Sequence, residues 1–280
     1  MNPILLAILI VAGIGLLAGL LLAVLSKIMA VPVDEKAAEI EEILPGANCG
    51  ACGFSGCAGY AAALSEGKTK ETGLCAPGGN EVSAKVAALM GLAAGTVEPQ
   101  AAVVHCAGCT EAASRKMIYE GVDSCRMASQ LFGGDKSCTY GCVGLGDCVQ
   151  VCPYDAISLC DGIAVVNTDL CRACKKCVAA CPKHLISLMP KKHTQAAVMC
   201  RNHDKGALTR KACTIGCIGC TKCVRQCPVG AIGMDNNVAV VDPEKCTGCG
   251  ACHAGCPTGA IRLVFEAEGP AKPALCEAAE

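Results

Sequence analysis

Nine cysteines recur at one offset of 75 residues: Cys125, Cys138, Cys142, Cys148, Cys152, Cys171, Cys174, Cys177 and Cys181 map onto Cys200, Cys213, Cys217, Cys223, Cys227, Cys246, Cys249, Cys252 and Cys256. Their neighbours follow, with Cys138-Thr-Tyr-Gly-Cys142 matched by Cys213-Thr-Ile-Gly-Cys217 and Ala156-Ile157 by Ala231-Ile232. The chain therefore contains a duplicated module defined by where its thiols stand. Any fold it adopts must bring those thiols to set places.

Twenty-seven cysteines in 280 residues is far above ordinary use. A disulfide scaffold would need an oxidising compartment and spacings set by loop geometry, and structural zinc would need two close pairs. The rhythm here is Cys171-x2-Cys174-x2-Cys177-x3-Cys181-Pro182, repeated as Cys217-x2-Cys220-x2-Cys223-x3-Cys227-Pro228 and as Cys246-x2-Cys249-x2-Cys252-x3-Cys256-Pro257. That is the bacterial ferredoxin ligand run for [4Fe-4S] clusters, in which the cysteine before proline serves the other cluster of the pair. With no Trp and 2% aromatics no large aromatic core can form. Small α+β iron–sulfur domains need none, because metal coordination contributes folding free energy.

The pairing rule gives one site from Cys217, Cys220, Cys223 and Cys256, and a second from Cys246, Cys249, Cys252 and Cys227. In the first repeat Cys171, Cys174 and Cys177 join Cys152. The position matching Cys220 is Leu145, so the expected fourth site is Cys138, Cys142 and Cys148 with Cys181. A fifth group, Cys49-x2-Cys52-x4-Cys57-x17-Cys75, lies among glycines whose missing side chains let backbone N–H groups approach an anionic cluster. Buried structural thiols are the competing reading.

Five clusters leave Cys106, Cys109, Cys125, Cys160, Cys200, Cys213 and Cys276. Cys125, Cys200 and Cys213 with one of the pair Cys106 and Cys109 would suffice for a sixth cluster, against the bland reading that they are small buried apolar residues. Cys160 and Cys276 read as free thiols. His105, beside Cys106, is a candidate ligand; the other histidines are scattered. No phosphate-binding glycine loop, nucleophile elbow or acid pair appears, so the chain has wires and no reaction pocket of its own.

Ile4 to Leu25 is an uncharged apolar run long enough to cross a bilayer, for which about 20 residues are needed. It lacks the basic start and cleavage motif of a secretory signal. Lys27 and Lys36 follow it and nothing basic precedes it, which places the cluster domains on the cytoplasmic side of a single-pass membrane protein. The expected division is a transmembrane anchor over 1–27, a four-cysteine domain over 34–92, and a linker with extra cysteines over 93–124. Ferredoxin-like modules over 125–199 and 200–265 and a flexible tail over 266–280 complete it. Helices are expected over Asp34 to Leu44 and within residues 76–92.

Between Arg172 and Arg225 stand 12 Lys or Arg and one acid, Asp204, although the whole chain has a formal charge of −1. These cations offset cluster charge. They also suit a docking face for an acidic electron carrier, with Lys175, Lys176, Lys191, Lys192, Lys205 and Lys211 as the steering set.

The order of features is an anchor helix, Pro45-Gly-Ala-Asn-Cys-Gly-Ala-Cys-Gly-Phe-Ser-Gly-Cys57, a linker, Gly141-Cys-Val-Gly-Leu-Gly-Asp-Cys148 and tandem ferredoxin runs. It resembles, over nearly the whole chain, the B subunits of Rnf complexes, the ion-translocating ferredoxin:NAD oxidoreductases of bacterial membranes. The resemblance implies a component without flavin or NAD site that takes electrons from soluble ferredoxin and relays them to the other Rnf subunits. Two alternatives are a ferredoxin-like subunit of a hydrogenase or other membrane dehydrogenase, which would not require the Cys49 to Cys75 domain behind an anchor, and an iron–sulfur redox sensor. A sensor would be expected to carry a helix-turn-helix; none is seen, so nucleic acid is not an expected partner.

Overall fold

In the computed structural model, residues 3–28 and 34–265 are described; the expected tail, with Cys276, lies outside them. Helix α1, Pro3–Ile28, is apolar up to Ser26 and Lys27 in its last turn. At 1.5 Å per residue it reaches about 39 Å, beyond the ~30 Å of a hydrocarbon core. Its segment Leu9–Lys27 meets the length and hydropathy of a membrane span, and none of its residues is buried against the rest of the chain.

Helix α2, Glu35–Ile43, starts where the Asp34 carboxylate accepts from the N–H groups of Lys36 and Ala37 at 3.0 and 3.4 Å, a cap of about 1 kcal/mol. With α3, Cys57–Ser65, and α4, Gly79–Met90, it encloses a core of Ile40, Tyr60, Leu64 and Val86. Gly91 closes α4 in the left-handed conformation that a helix C-terminus favours. Cys52, Cys57 and Cys75 border this core, so the helices fix the ends of the glycine-rich loop.

The first module runs β1 (Gln100–Val104), α5 (Cys125–Gln130), α6 (Asp147–Gln150), β2 (Ile157–Cys160), β3 (Ile163–Val166), α7 (Lys176–Ala180) and β4 (Ile186–Pro190). Strand β1 pairs antiparallel with β4, Gln100 opposite Pro190 and Val104 opposite Ile186, and β2 forms a hairpin with β3. The second module repeats this with β5 (Gln195–Val198), α8 (Gly206–Ala212), α9 (Lys222–Gln226), β6 (Ile232–Asp235), β7 (Val238–Val241), α10 (Ala251–Ala254) and β8 (Ile261–Val264). Here β5 pairs with β8 and β6 with β7. Each module thus wraps short cysteine-bearing helices between a hairpin and a ribbon made of its own first and last strands.

This moves two boundaries. The segment expected to be a linker, 93–124, contains β1, so the first module begins at Gln100. Likewise Gln195–Val198, expected to end that module, opens the second. The partners of β1 and β5 lie far along the chain, and no local pattern reports such pairing. Residues 105–124 are then an insertion within the first module, and they stitch it to the second. Ala107 N–H donates to the Met199 carbonyl at 3.1 Å, Ser114 N–H to Ala212 at 3.1 Å and Thr214 N–H to Ala112 at 2.9 Å. Val103 and Met189 of one module pack on Ala197 and Val264 of the other.

Candidate iron–sulfur centres

The cysteine loops take their shape from left-handed residues that recur at the same 75-residue offset. Gly144 and Gly219 have φ of 82° and 67°, Gly146 and Thr221 85° and 57°, Ala173 and Gly248 53° and 70°, and Lys175 and Gly250 61° and 75°. An L-residue in this region costs roughly 1–2 kcal/mol. Its retention as Ala, Lys or Thr shows that the loop, not residue preference, imposes the turn. Such turns point backbone N–H groups into a concavity suited to an anion.

In the four-cysteine domain Asn48, itself at φ 45°, accepts from Cys57 N–H at 2.8 Å and so folds the loop back on α3. Gly56 leaves room for it, since a Cβ there would stand 2.8 Å from Asn48 Oδ1. The Cys75 thiol is raised by burial and then by Cys57, Cys49 and Cys52; all four thiols share one neighbourhood. Tyr60, pushed up to about 12 chiefly by burial, also feels Cys75 and Cys52.

In the modules two cavities are lined by complete sets of expected ligands. Cys152, Cys171, Cys174 and Cys177 border one. Cys217, Cys220, Cys223 and Cys256 border the other. Burial, then thiol–thiol repulsion, raises Cys177 and Cys223 to about 11. Buried thiols this close ionise together only if a cationic partner takes up their charge, which an iron cluster does. Donors to sulfur are in place: Ala231 N–H reaches Cys227 Sγ at 3.3 Å and Ala102 N–H reaches Cys171 Sγ at 3.4 Å. Cys256 is lowered, because hydrogen bonds from Thr258, Ile261 and Ala260 outweigh the upward push of burial. Cys227, Cys246 and Cys252 share the second module's core, where Cys252 is raised by burial and then by Cys246 and Cys249.

The remaining cysteines fall differently from the expected fourth site. Cys148, pushed up to about 12 first by burial, has Cys142, Cys125, Cys181 and Cys177 around it. Cys138 instead shares a cavity with Cys106, Cys200 and Cys213. Cys109 is buried in a cluster with Ala112, Ala113, Ile163 and Cys213, against which Cys106 and Cys142 pack. Cys160 is disulfide-bonded and not the free thiol expected. His105 Nδ1 meets the Val198 carbonyl at 2.9 Å and Nε2 meets Ser187 Oγ at 2.7 Å. Both ring nitrogens are thus engaged, and burial lowers its pKa to about 4. It clasps the two modules, a role its sequence neighbourhood did not signal.

The domains are recognised independently. A 4Fe-4S dicluster domain model matches residues 216–260, a 4Fe-4S binding domain model 164–187 and a putative Fe-S cluster model 44–77. The B subunit of the ion-translocating oxidoreductase complex of Methanosarcina acetivorans is 41% identical over 84% of this chain and 89% of its own length. The chain is a B subunit of the Rnf family. The B subunit of the Na(+)-translocating ferredoxin:NAD(+) oxidoreductase complex of Acetobacterium woodii is 40% identical over 88% of this chain and 73% of its own. The proton-translocating counterpart of Clostridium ljungdahlii is 39% identical over 86% and 85%. As an Rnf B subunit the chain is a [4Fe-4S] electron-transfer component of an ion-translocating oxidoreductase, built from iron–sulfur domains behind one apolar N-terminal helix.

Proposed function

We propose that this Rnf B subunit takes up electrons from reduced soluble ferredoxin at its second module and delivers them, through the first module, to the four-cysteine domain beside the membrane. Helix α1 anchors it, with the cluster domains on the cytoplasmic side, and the chain converts no substrate of its own. Cys49, Cys52, Cys57 and Cys75 hold one cluster; Cys152, Cys171, Cys174 and Cys177 a second; Cys217, Cys220, Cys223 and Cys256 a third; Cys227, Cys246, Cys249 and Cys252 a fourth. Cys142, Cys148 and Cys181 contribute to a fifth. Bound there, the clusters supply one-electron chemistry at potentials set by hydrogen bonds to sulfur and by burial.

The observation that carries the direction is an asymmetry between repeats. Cys220 and Cys249 of the second module are exposed, whereas Cys174, the counterpart of Cys249, is buried and Leu145 stands for Cys220. At the other end Cys49 of the four-cysteine domain is a neighbour of Cys174, whose thiol is raised first by burial and also by Cys49. Tyr154, pushed up to about 12 chiefly by burial, feels both of these cysteines.

The basic face divides accordingly. Lys191 is paired with Asp169 at 2.6 Å, and Lys192 with Glu98 and Glu244 at 3.2 Å each. Lys205, Lys211 and Lys222 are exposed and, among the described residues, in no ion pair. They flank the second module's first cysteine run and are the steering set. Stopped-flow reduction by ferredoxin tests this: with all three changed to Gln the rate should fall and lose its salt dependence at unchanged iron content. Reduction as fast as in the parent at low salt would move docking elsewhere.

A further inference from the structure

We propose that Cys106, Cys138, Cys200 and Cys213 hold a further [4Fe-4S] cluster at the seam between the two modules, and that Cys125 replaces Cys138 as the fourth ligand beside Cys142, Cys148 and Cys181. The proposal rests on the iron–sulfur reading above and goes beyond it in ligand set and place.

Ligand arithmetic within the duplication motivates it. In the second module Cys220 completes the Cys217 site, so Cys200 and Cys213 are left over. In the first module Leu145 leaves a gap, and one of the equivalent pair, Cys125 or Cys138, must fill it. The structure chooses Cys125. The Asp147 carboxylate accepts from Cys125 N–H at 2.8 Å, Arg126 N–H at 3.0 Å and Ser124 Oγ at 3.1 Å. Asp147 precedes Cys148, so this clamp sets Cys125 against the site that lacks a ligand. Cys138 is thereby released to the seam.

There, Cys106, Cys138, Cys200 and Cys213 line one cavity, as the two complete ferredoxin sets line theirs. Sulfur-directed donors surround it. Asn202 Nδ2 donates to Cys138 Sγ at 3.5 Å, Asn202 N–H to Cys200 Sγ at 3.5 Å and Cys142 N–H to Cys106 Sγ at 3.3 Å. Two cations line the same space. Lys136 is 3% exposed, its ammonium donating only to the carbonyls of Gly108 and Gly162 at 2.8 Å. Arg201 has its Nε buried without a hydrogen-bond partner. A buried ammonium and a guanidinium with a buried, unpaired Nε are costly beside uncharged thiols. A cluster with four thiolates, carrying roughly two negative charges, supplies the missing counter-charge.

The place is also informative. Cys200 neighbours Cys217 of the second module, and Cys106 accepts from the backbone of Cys142 of the first. The seam is where an electron crosses between modules, one centre being oxidised as the next is reduced, with no bond made or broken.

Full-length protein purified anaerobically in detergent tests this by iron and sulfide analysis, with Mössbauer and EPR spectra to count centres. The unmutated chain should hold about 24 irons as six clusters. The double variant Cys200→Ala/Cys213→Ala should lose about four, and Cys106→Ala/Cys138→Ala should lose about the same four, so all four changes together should leave about 20 irons. Cys125→Ala should perturb a different centre and add to either. A plateau near 20 irons in the unmutated chain, or losses from the two double variants that add to about eight, would overturn the proposal. A plateau near eight irons would sink the underlying cluster reading instead. The count on the unmutated chain decides even if a variant fails to assemble.

Discussion

Gly248 and Ala173 occupy the same place in the two repeats and both are left-handed, at φ 70° and 53°, yet they are not interchangeable. A Cβ on Gly248 would run into the Thr194 carbonyl oxygen, whereas Ala173 already carries one and is buried at 3% exposure. Gly248→Ala should therefore destabilise the second module by roughly 1–3 kcal/mol. Ala173→Gly exchanges relief of left-handed strain against about 0.8 kcal/mol of lost methyl burial and added chain entropy, so its net effect should stay within about 1 kcal/mol. Thermal bleaching of the iron–sulfur absorbance on loaded protein compares them. A Gly248→Ala midpoint no lower than that of the parent would show that neither Thr194 nor the left-handed turn opposes a methyl there.

At the scale of elements, the helices carry separable duties. Leu64 of α3 is fully buried between α2 and α4, and Leu64→Ala should cost about 2–5 kcal/mol. That is a large share of the stability available to a domain the size of residues 34–92. The expected result is loss of the cluster proposed at Cys49, Cys52, Cys57 and Cys75, with both ferredoxin-like modules still loaded. EPR of the dithionite-reduced variant would record it, and loss of the module signals as well would mean that the domains fold as one unit. Helix α1 shares no ligand with any cluster group and leaves its described side chains exposed. Removing residues 1–28 should release the protein to the soluble fraction with its iron intact. A truncated chain that lost iron would make the helix part of a cluster environment.

On the scale of the molecule, the proposed cluster groups lie in a sequence from exposed to enclosed. Cys220 and Cys249 open the second module to solvent, Cys106 and Cys200 stand at the seam, and Cys174 meets Cys49 at the four-cysteine domain. A carrier that docks by long-range attraction should feel the Debye length shrink from about 30 Å at 0.01 M salt to about 10 Å at 0.1 M. The ferredoxin reduction rate should fall over that range in the parent. Lys191→Gln and Lys192→Gln, whose charges are already offset by Asp169, Glu98 and Glu244, should keep the parent slope. A salt series on these variants beside the Lys205, Lys211 and Lys222 set separates steering from simple charge compensation. Equal flattening by both sets would make the whole basic face, and not the second module, the docking surface.

Thiol spacing alone determined the duplication, the iron–sulfur class and the cysteine runs with their Cys-Pro ends, and an unbroken apolar run determined one helix long enough to cross a bilayer, because cluster ligation and bilayer crossing write short-range patterns that local sequence must obey. Three things had to wait for the tertiary structure. The strands Gln100–Val104 and Gln195–Val198 acquire meaning only by pairing with Ile186–Pro190 and Ile261–Val264, far along the chain. The left-handed turns are hidden wherever Ala, Lys or Thr fills a place that glycine holds in the other repeat. The neighbours of Cys125 and Cys138 cannot be told from spacing, since the two belong to the same repeat and either could stand in for the missing ligand at Leu145. The Asp147 clamp and the seam between modules separate them, and both are contacts between segments that only the folded chain brings together.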